Sequence, residues 1–153
     1  MKITKYIIVL LWVSVFVSCG KEEFEAYDHP YIHIMKDEVS GTTVSAKANT
    51  VAKYDIYLSS TPLNEKLTVV YSITSGDGLQ EGIDYKLINS SNEITFLPGI
   101  YDMPVQIRWI SHELDTEKDN SLTIRIESNS MNFTMGLPGN AGNQREFIIK
   151  KVK

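Results

Sequence analysis

Few residues in this chain are able to do chemistry. Its one cysteine, Cys19, ends the long apolar run "IIVLLWVSVFV" (7–17). A thiolate is a good nucleophile toward an activated acyl donor or lipid. One cysteine cannot close a disulfide within a single chain, and a leader junction is no place for a catalytic thiol. The histidines are His29, His33 and His112. His29 and His33 have chelating spacing only on a helix, and Pro30 pushes His29 out of the helical region. On a strand, four residues span about 13 Å, too far for one zinc. No Gly-x-Ser-x-Gly element is present, so the commonest serine nucleophile is missing. The Gly-rich "MGLPGNAGNQ" (135–144) lacks the Lys-Ser/Thr ending of a phosphate loop and leads into a strand. Loop acids leave a carboxylate pair for glycoside hydrolysis open, so a small surface hydrolase stays as one alternative. Exposed tyrosines offer another chemistry, since an aromatic ring gives stacking area with a polar handle.

Residues 1–18 bear on the thiol. Lys2 and Lys5 precede the apolar run, and small residues follow it. The run is too short for a transmembrane helix of about 20 residues. Its layout is that of a cleaved secretory leader. "VSCG" (17–20) resembles the lipobox of bacterial lipoproteins, with Phe16 at the usual Leu position. That resemblance implies that Cys19 becomes the mature N-terminus and carries acyl chains on sulfur and on its amino group. Each buried methylene contributes about 0.8 kcal/mol, and two or more chains hold stably. "KEEFE" (21–25) resembles the lysine-then-acidic signal that sends lipoproteins of Bacteroidetes-type bacteria to the outer face of the outer membrane. Its plainer reading, a solvated tether, is compatible with that role.

Composition bounds the partners. The 153 residues are 42% hydrophobic and 22% charged, enough for one domain with a core. The net charge of −4 becomes about −6 once Lys2 and Lys5 of the leader are set aside. Nucleic acid is excluded as a partner, because phosphate contacts need clustered Lys and Arg. The basic tail Lys150, Lys151 and Lys153 reads as the solvated end of a last strand.

Past the tether, apolar residues alternate with polar ones, the period of a half-buried strand. "VAKYDIYLSS" (51–60) puts Ala52, Tyr54, Ile56 and Leu58 on one side. "LTVVYSIT" (67–74), "MPVQIRWI" (103–110) and "SLTIRIE" (121–127) do the same, with Trp109 on the core side. Shorter runs are "YIHIM" (31–35), "DYKLI" (84–88), "EITF" (93–96) and "REFIIKKV" (145–152). Turn signals rich in Gly, Pro, Asn and Asp separate them. No helix of ordinary length is predicted after residue 20. The spacing predicts an antiparallel two-sheet sandwich of seven to eight strands over 27–153. By strand parity Tyr31 and Tyr57 fall on outward positions, and Tyr101 lies at a turn. These three are the candidate binding surface, although a sheet-lining role is the plainer reading for each.

The order "LTVVYSITSGDGLQEGIDYKL", "ITFLPGIYDMPVQIRWI", "LDTEKDNSLTIRIES" over 67–128 is similar to the Calx-beta family. The matching positions are Gly78, Gly82, Asp84, Tyr85, Thr95, Phe96, Pro98, Gly99, Glu117, Leu122 and Ile124. The resemblance implies an immunoglobulin-like sandwich. It also implies calcium as an alternative, since some members bind it at one end of the sandwich. Asp84 matches the family's Asp before Tyr, and Glu117 its corner glutamate. Ca²⁺ needs six to eight oxygens, for which Asp84, Glu113, Asp115 and Glu117 are the candidates. Where calcium-binding members carry consecutive aspartates, this chain reads Ser111, His112, Glu113, Leu114.

The sequence reading is thus a cleaved leader (1–18), a lipidated cysteine with a charged tether (19–26) and one sandwich domain (27–153). The protein is expected at the cell surface on the outer membrane, without a catalytic role or an obligate cofactor. The expected work is binding or accessory assembly, with a surface glycan or neighbouring outer-membrane uptake proteins as partners. A calcium-binding module is the alternative.

Overall fold

Alternation in the sequence becomes strand throughout. The computed structural model describes residues 29–139 and 142–153. The leader, Cys19 and the tether lie outside the described residues. Ten strands follow in order: β1 (Tyr31–Met35), β2 (Gly41–Ser45), β3 (Val51–Ser59), β4 (Leu67–Ser75), β5 (Tyr85–Leu87), β6 (Glu93–Phe96), β7 (Asp102–Trp109), β8 (Ser121–Asn129), β9 (Thr134–Met135) and β10 (Glu146–Val152). They form two five-stranded sheets, β5-β7-β3-β1-β9 and β2-β10-β8-β4-β6. The fold is therefore the expected all-β sandwich, with ten strands where seven to eight were expected. The additions are β2, "GTTVS", and the two-residue β9. Neither carries alternating large apolar residues, so neither has a sequence signal of burial.

The sheets are not purely antiparallel. β2 runs parallel to β10, and β9 parallel to β1. The first parallel pair follows from a change of sheet. After β1 the chain reverses through Asp37 and Glu38, both at positive φ (50° and 65°), and β2 joins the opposite sheet. Lys36 and Val39 exchange backbone hydrogen bonds across that reversal.

The inward parity of each long strand supplies the core. Tyr54, Ile56, Val105, Ile107 and Trp109 come from the first sheet; Leu67, Val69, Leu122, Ile124, Ile126, Phe147 and Ile149 come from the second. Each such aliphatic or phenyl side chain contributes roughly 1.5–3 kcal/mol on full burial. Two large polar-tipped rings of the core satisfy each other: Trp109 Nε1 donates to the Tyr54 hydroxyl at 3.0 Å, and the Tyr54 ring meets Phe147 of the other sheet at 5.4 Å. Edges are closed where they would otherwise template pairing. Beyond the short β5, the Asn89 side chain accepts from Gln106 N (2.7 Å) and donates to Pro104 O (3.3 Å), capping the free margin of β7. Two glycines of the family pattern show why they are glycine. Gly82 and Gly99 sit at φ +87° and +86°, with Pro98-Gly99 forming a tight turn closed by Ile100 N donating to Leu97 O.

One expectation is overturned. Lys151 is not part of a solvated tail; it is 2% exposed. In β10 the residues Phe147, Ile149 and Lys151 share the inward parity, so the strand that buries the first two must bury the third.

Candidate functional site

The sandwich has two ends. At one, β1 begins and β3 ends, since Tyr31 pairs with Ser59. At the other, β7 ends, β5 begins and β10 finishes, and here Asp84, His112 and Lys151 meet. Asp84 precedes β5 and is 3% exposed. Its Oδ2 accepts from Gln80 N at 3.0 Å, the turn-capping role that a short carboxylate fills. Its Oδ1 faces Lys151 Nζ at 3.0 Å and His112 Nδ1 at 3.1 Å. Lys151 Nζ also donates to Ile110 O at 2.8 Å and to Asp84 O at 3.3 Å. The three protons of the ammonium thus have three acceptors. This satisfaction is what permits a charge in a dry place, because breaking such a pair strands its partner. Burial by itself raises the Asp84 pKa, but the Gln80 N–H, the Lys151 ammonium and His112 together outweigh it, and the carboxyl ends below its ordinary range. The contact joins the last strand of one sheet to the residue just before β5 of the other.

The expected calcium ligands are not gathered. Among the described residues no three His, Cys, Asp or Glu groups are arranged to hold a metal ion. Asp84 is engaged by Lys151. Asp115 Oδ1 accepts from Glu117 N at 3.0 Å, within its own turn. Glu113 lines a cavity of about 700 Å³ instead, with His112, Ser111, Lys47, Lys153, Ala46 and Leu114. The residues present fit an internal ammonium rather than a calcium ion. Behind them, Gly76 and Gly78 let the β4–β5 loop press on Asp119 and Asn120, leaving no space for a Cβ.

The candidate binding tyrosines fall elsewhere: Tyr31 and Tyr57 on the outer face of the first sheet, and Tyr101 in the turn before β7. His33 pairs in register with Tyr57. Its ring lies 5.5 Å from Tyr57, stacked, and 5.3 Å from Tyr31, tilted. The three rings form a row. His33 has outward parity yet is 8% exposed because its neighbours cover it, and its buried Nδ1 has no hydrogen-bond partner. Burial lowers its pKa, holding the imidazole neutral. Around Tyr57, burial first and then Asp55, Asp102 and Asp37 raise the phenol pKa. Tyr101, about a third exposed (36%), sits at the β6–β7 turn, one residue before the Asp102 that pairs with Tyr57. The structure brings Tyr31 and Tyr57 together through His33 and sets Tyr101 near their end of the sheet. The sequence presents His33 only as a metal-ligand candidate; its place between the two tyrosines is legible from parity once the β1–β3 register is known. Lys151 was likewise visible in the alternation of β10.

No known family model matches the chain, and no curated protein sequence does. Among solved structures it is similar to the crystal structure of CBD12 from CALX1.2, with a TM-score of 0.58 at 15% identity over 80% of this chain. The chain spans 43% of that structure. At such identity the likeness is one of fold, and on that ground this protein is a β-sandwich module with a Calx-beta-like fold.

Proposed function

We propose that this protein is a noncovalent binding module, held at the outer membrane by lipid on Cys19 and displayed on the cell surface, where it takes part in glycan capture or in accessory assembly with neighbouring uptake proteins. The observation that carries the binding role is the row Tyr31–His33–Tyr57 on the outer face of the first sheet. The partly exposed rings of Tyr31 and Tyr57, joined by the buried His33, offer stacking area to the apolar faces of sugar rings. Asp55 and Asp102, placed around Tyr57, are acceptors for sugar hydroxyls. No catalytic step enters this reading, and neither does a metal.

Affinity electrophoresis of the full chain through gels carrying neutral polysaccharides tests the role. Retardation by at least one polysaccharide, lost in Tyr57→Ala, is expected; migration unchanged in every gel rejects glycan capture at this face. One base–aromatic stack is worth about 1–3 kcal/mol by alanine substitution, and a sugar–tyrosine stack at the low end of that scale predicts a loss of roughly five-fold or more. The anchor is tested apart from the ligand. Cys19→Ala is expected to abolish radiolabelled acyl incorporation and to move the protein out of the membrane fraction.

A further inference from the structure

The cavity at the other end of the sandwich has a different chemistry from the aromatic face. Its floor is apolar, made by Ala46 and Leu114, both buried. Lys47, Lys153 and His112 also line it, with Glu113 as the one acidic side chain. The nearby acids turn elsewhere: Asp115 and Asp119 accept backbone N–H groups of Glu117 and Ser121 in their own loop. Among the lining groups, His112 is the one whose orientation is fixed. Its Nδ1 lies 3.1 Å from Asp84 Oδ1, while its side chain is 51% exposed. Asp84 is in turn held by Lys151 and by Gln80 N. A carboxylate acceptor requires the imidazole proton on Nδ1, which leaves Nε2 as the ring's acceptor nitrogen. The backbone of His112 is tied as well, its N–H donating to Ala46 O at 3.1 Å.

We propose that this cavity binds a carboxylate-bearing ring with an apolar face, the chemistry of a hexuronic acid. The carboxylate sits between the Lys47 and Lys153 ammonium groups, the ring lies on Ala46 and Leu114, and a hydroxyl meets His112 Nε2. A concave apolar floor with a few polar groups is the usual form of a small-ligand site, and an excess of basic over acidic side chains in the lining favours an anionic ligand. The inference goes beyond the aromatic row, which lies toward the opposite end of the first sheet. It does not depend on the proposed anchoring: within the described residues the chain enters β1 at the end of the sandwich opposite the cavity.

The test uses the full lipidated chain in detergent micelles, ¹⁵N-labelled and titrated with galacturonate, an oligogalacturonate and neutral galactose. Amide shifts at Ala46, Lys47 and Ser111 to Leu114 with the two acids, and none with galactose, are expected. His112→Gln should weaken binding about ten-fold. The double variant Lys47→Ala/Lys153→Ala, both at exposed positions that leave the core untouched, should lose most of the affinity. A tighter oligomer than monomer assigns a polysaccharide as the source of the acid, and equal affinities assign a free sugar acid. Binding of galactose as strong as that of galacturonate overturns the proposal, as does the absence of any shift by about 10 mM ligand. Shifts confined to Tyr31 and Tyr57 also overturn it, while leaving the aromatic-face reading intact.

Discussion

Lys151 shows how one residue can be misread by composition and placed correctly by geometry. Three lysines in four positions read as a solvated tail, yet the middle one has inward parity and finds Asp84, Ile110 O and Asp84 O. Lys151→Met keeps the apolar stem and deletes the charge, leaving Asp84 buried without its cation. Urea unfolding is expected to show a loss of about 3–5 kcal/mol; a loss near zero would mean that water replaces the ammonium. Acidity acts on the same pair with a definite sign. The Asp84 pKa is lowered on folding, so the unfolded state binds more protons as pH falls through the ordinary value of 3.8. Its stabilisation is present above that value and disappears as pH falls through the lower folded one. His33 works in a higher window. Its folded pKa lies below 6.5 because of burial, so the unfolded chain takes up protons first, and stability declines as pH drops below 6.5. In urea midpoints measured from pH 7 to pH 5, His33→Gln should show a shallower decline than the parent protein.

Strands and loops were legible to different degrees. The long strands were readable because one face of each meets the other sheet, and burial imposes period two on Tyr54-Ile56-Leu58 or Leu122-Ile124-Ile126. β2 was not readable: its "GTTVS" pairs along one side of β10 and buries little, so it needed no apolar rhythm. The turn glycines separate two mechanisms that look identical in sequence. A Cβ at Gly78 would run into Asn120 Oδ1 and stand 3.0 Å from Asp119 O, so Gly78→Ala must displace the acidic corner, at a cost of about 1–3 kcal/mol. A Cβ at Gly82 meets nothing within 4 Å, but its φ of +87° strains any side-chain-bearing residue, for about 1–2 kcal/mol. Melting curves should show both variants less stable. Amide spectra should differ, with shifts at Asp119 and Asn120 for Gly78→Ala and purely local ones for Gly82→Ala.

At the scale of the whole molecule, the internal ammonium bears on calcium. A bound ion raises the melting temperature by mass action. With Lys151 occupying Asp84 and no metal-holding group of acids among the described residues, the melting temperature is expected to be the same in millimolar calcium and in chelator. A rise of several degrees would mean that the corner rearranges around the ion. The sequence by itself determined the alternation that makes a sandwich, the parity that places Trp109 and Tyr54 inside and Tyr57 outside, and the glycines at the turns. These are local consequences of chain geometry and of which face must leave water. Only the tertiary structure decided that Asp84 meets Lys151 across 67 residues, that His33 joins Tyr31 and Tyr57 into one row, and that His112, a lining residue of the cavity, turns Nδ1 to Asp84. Such contacts depend on sheet order and register, which arise from the packing of all strands together and leave no mark in any single stretch of the chain.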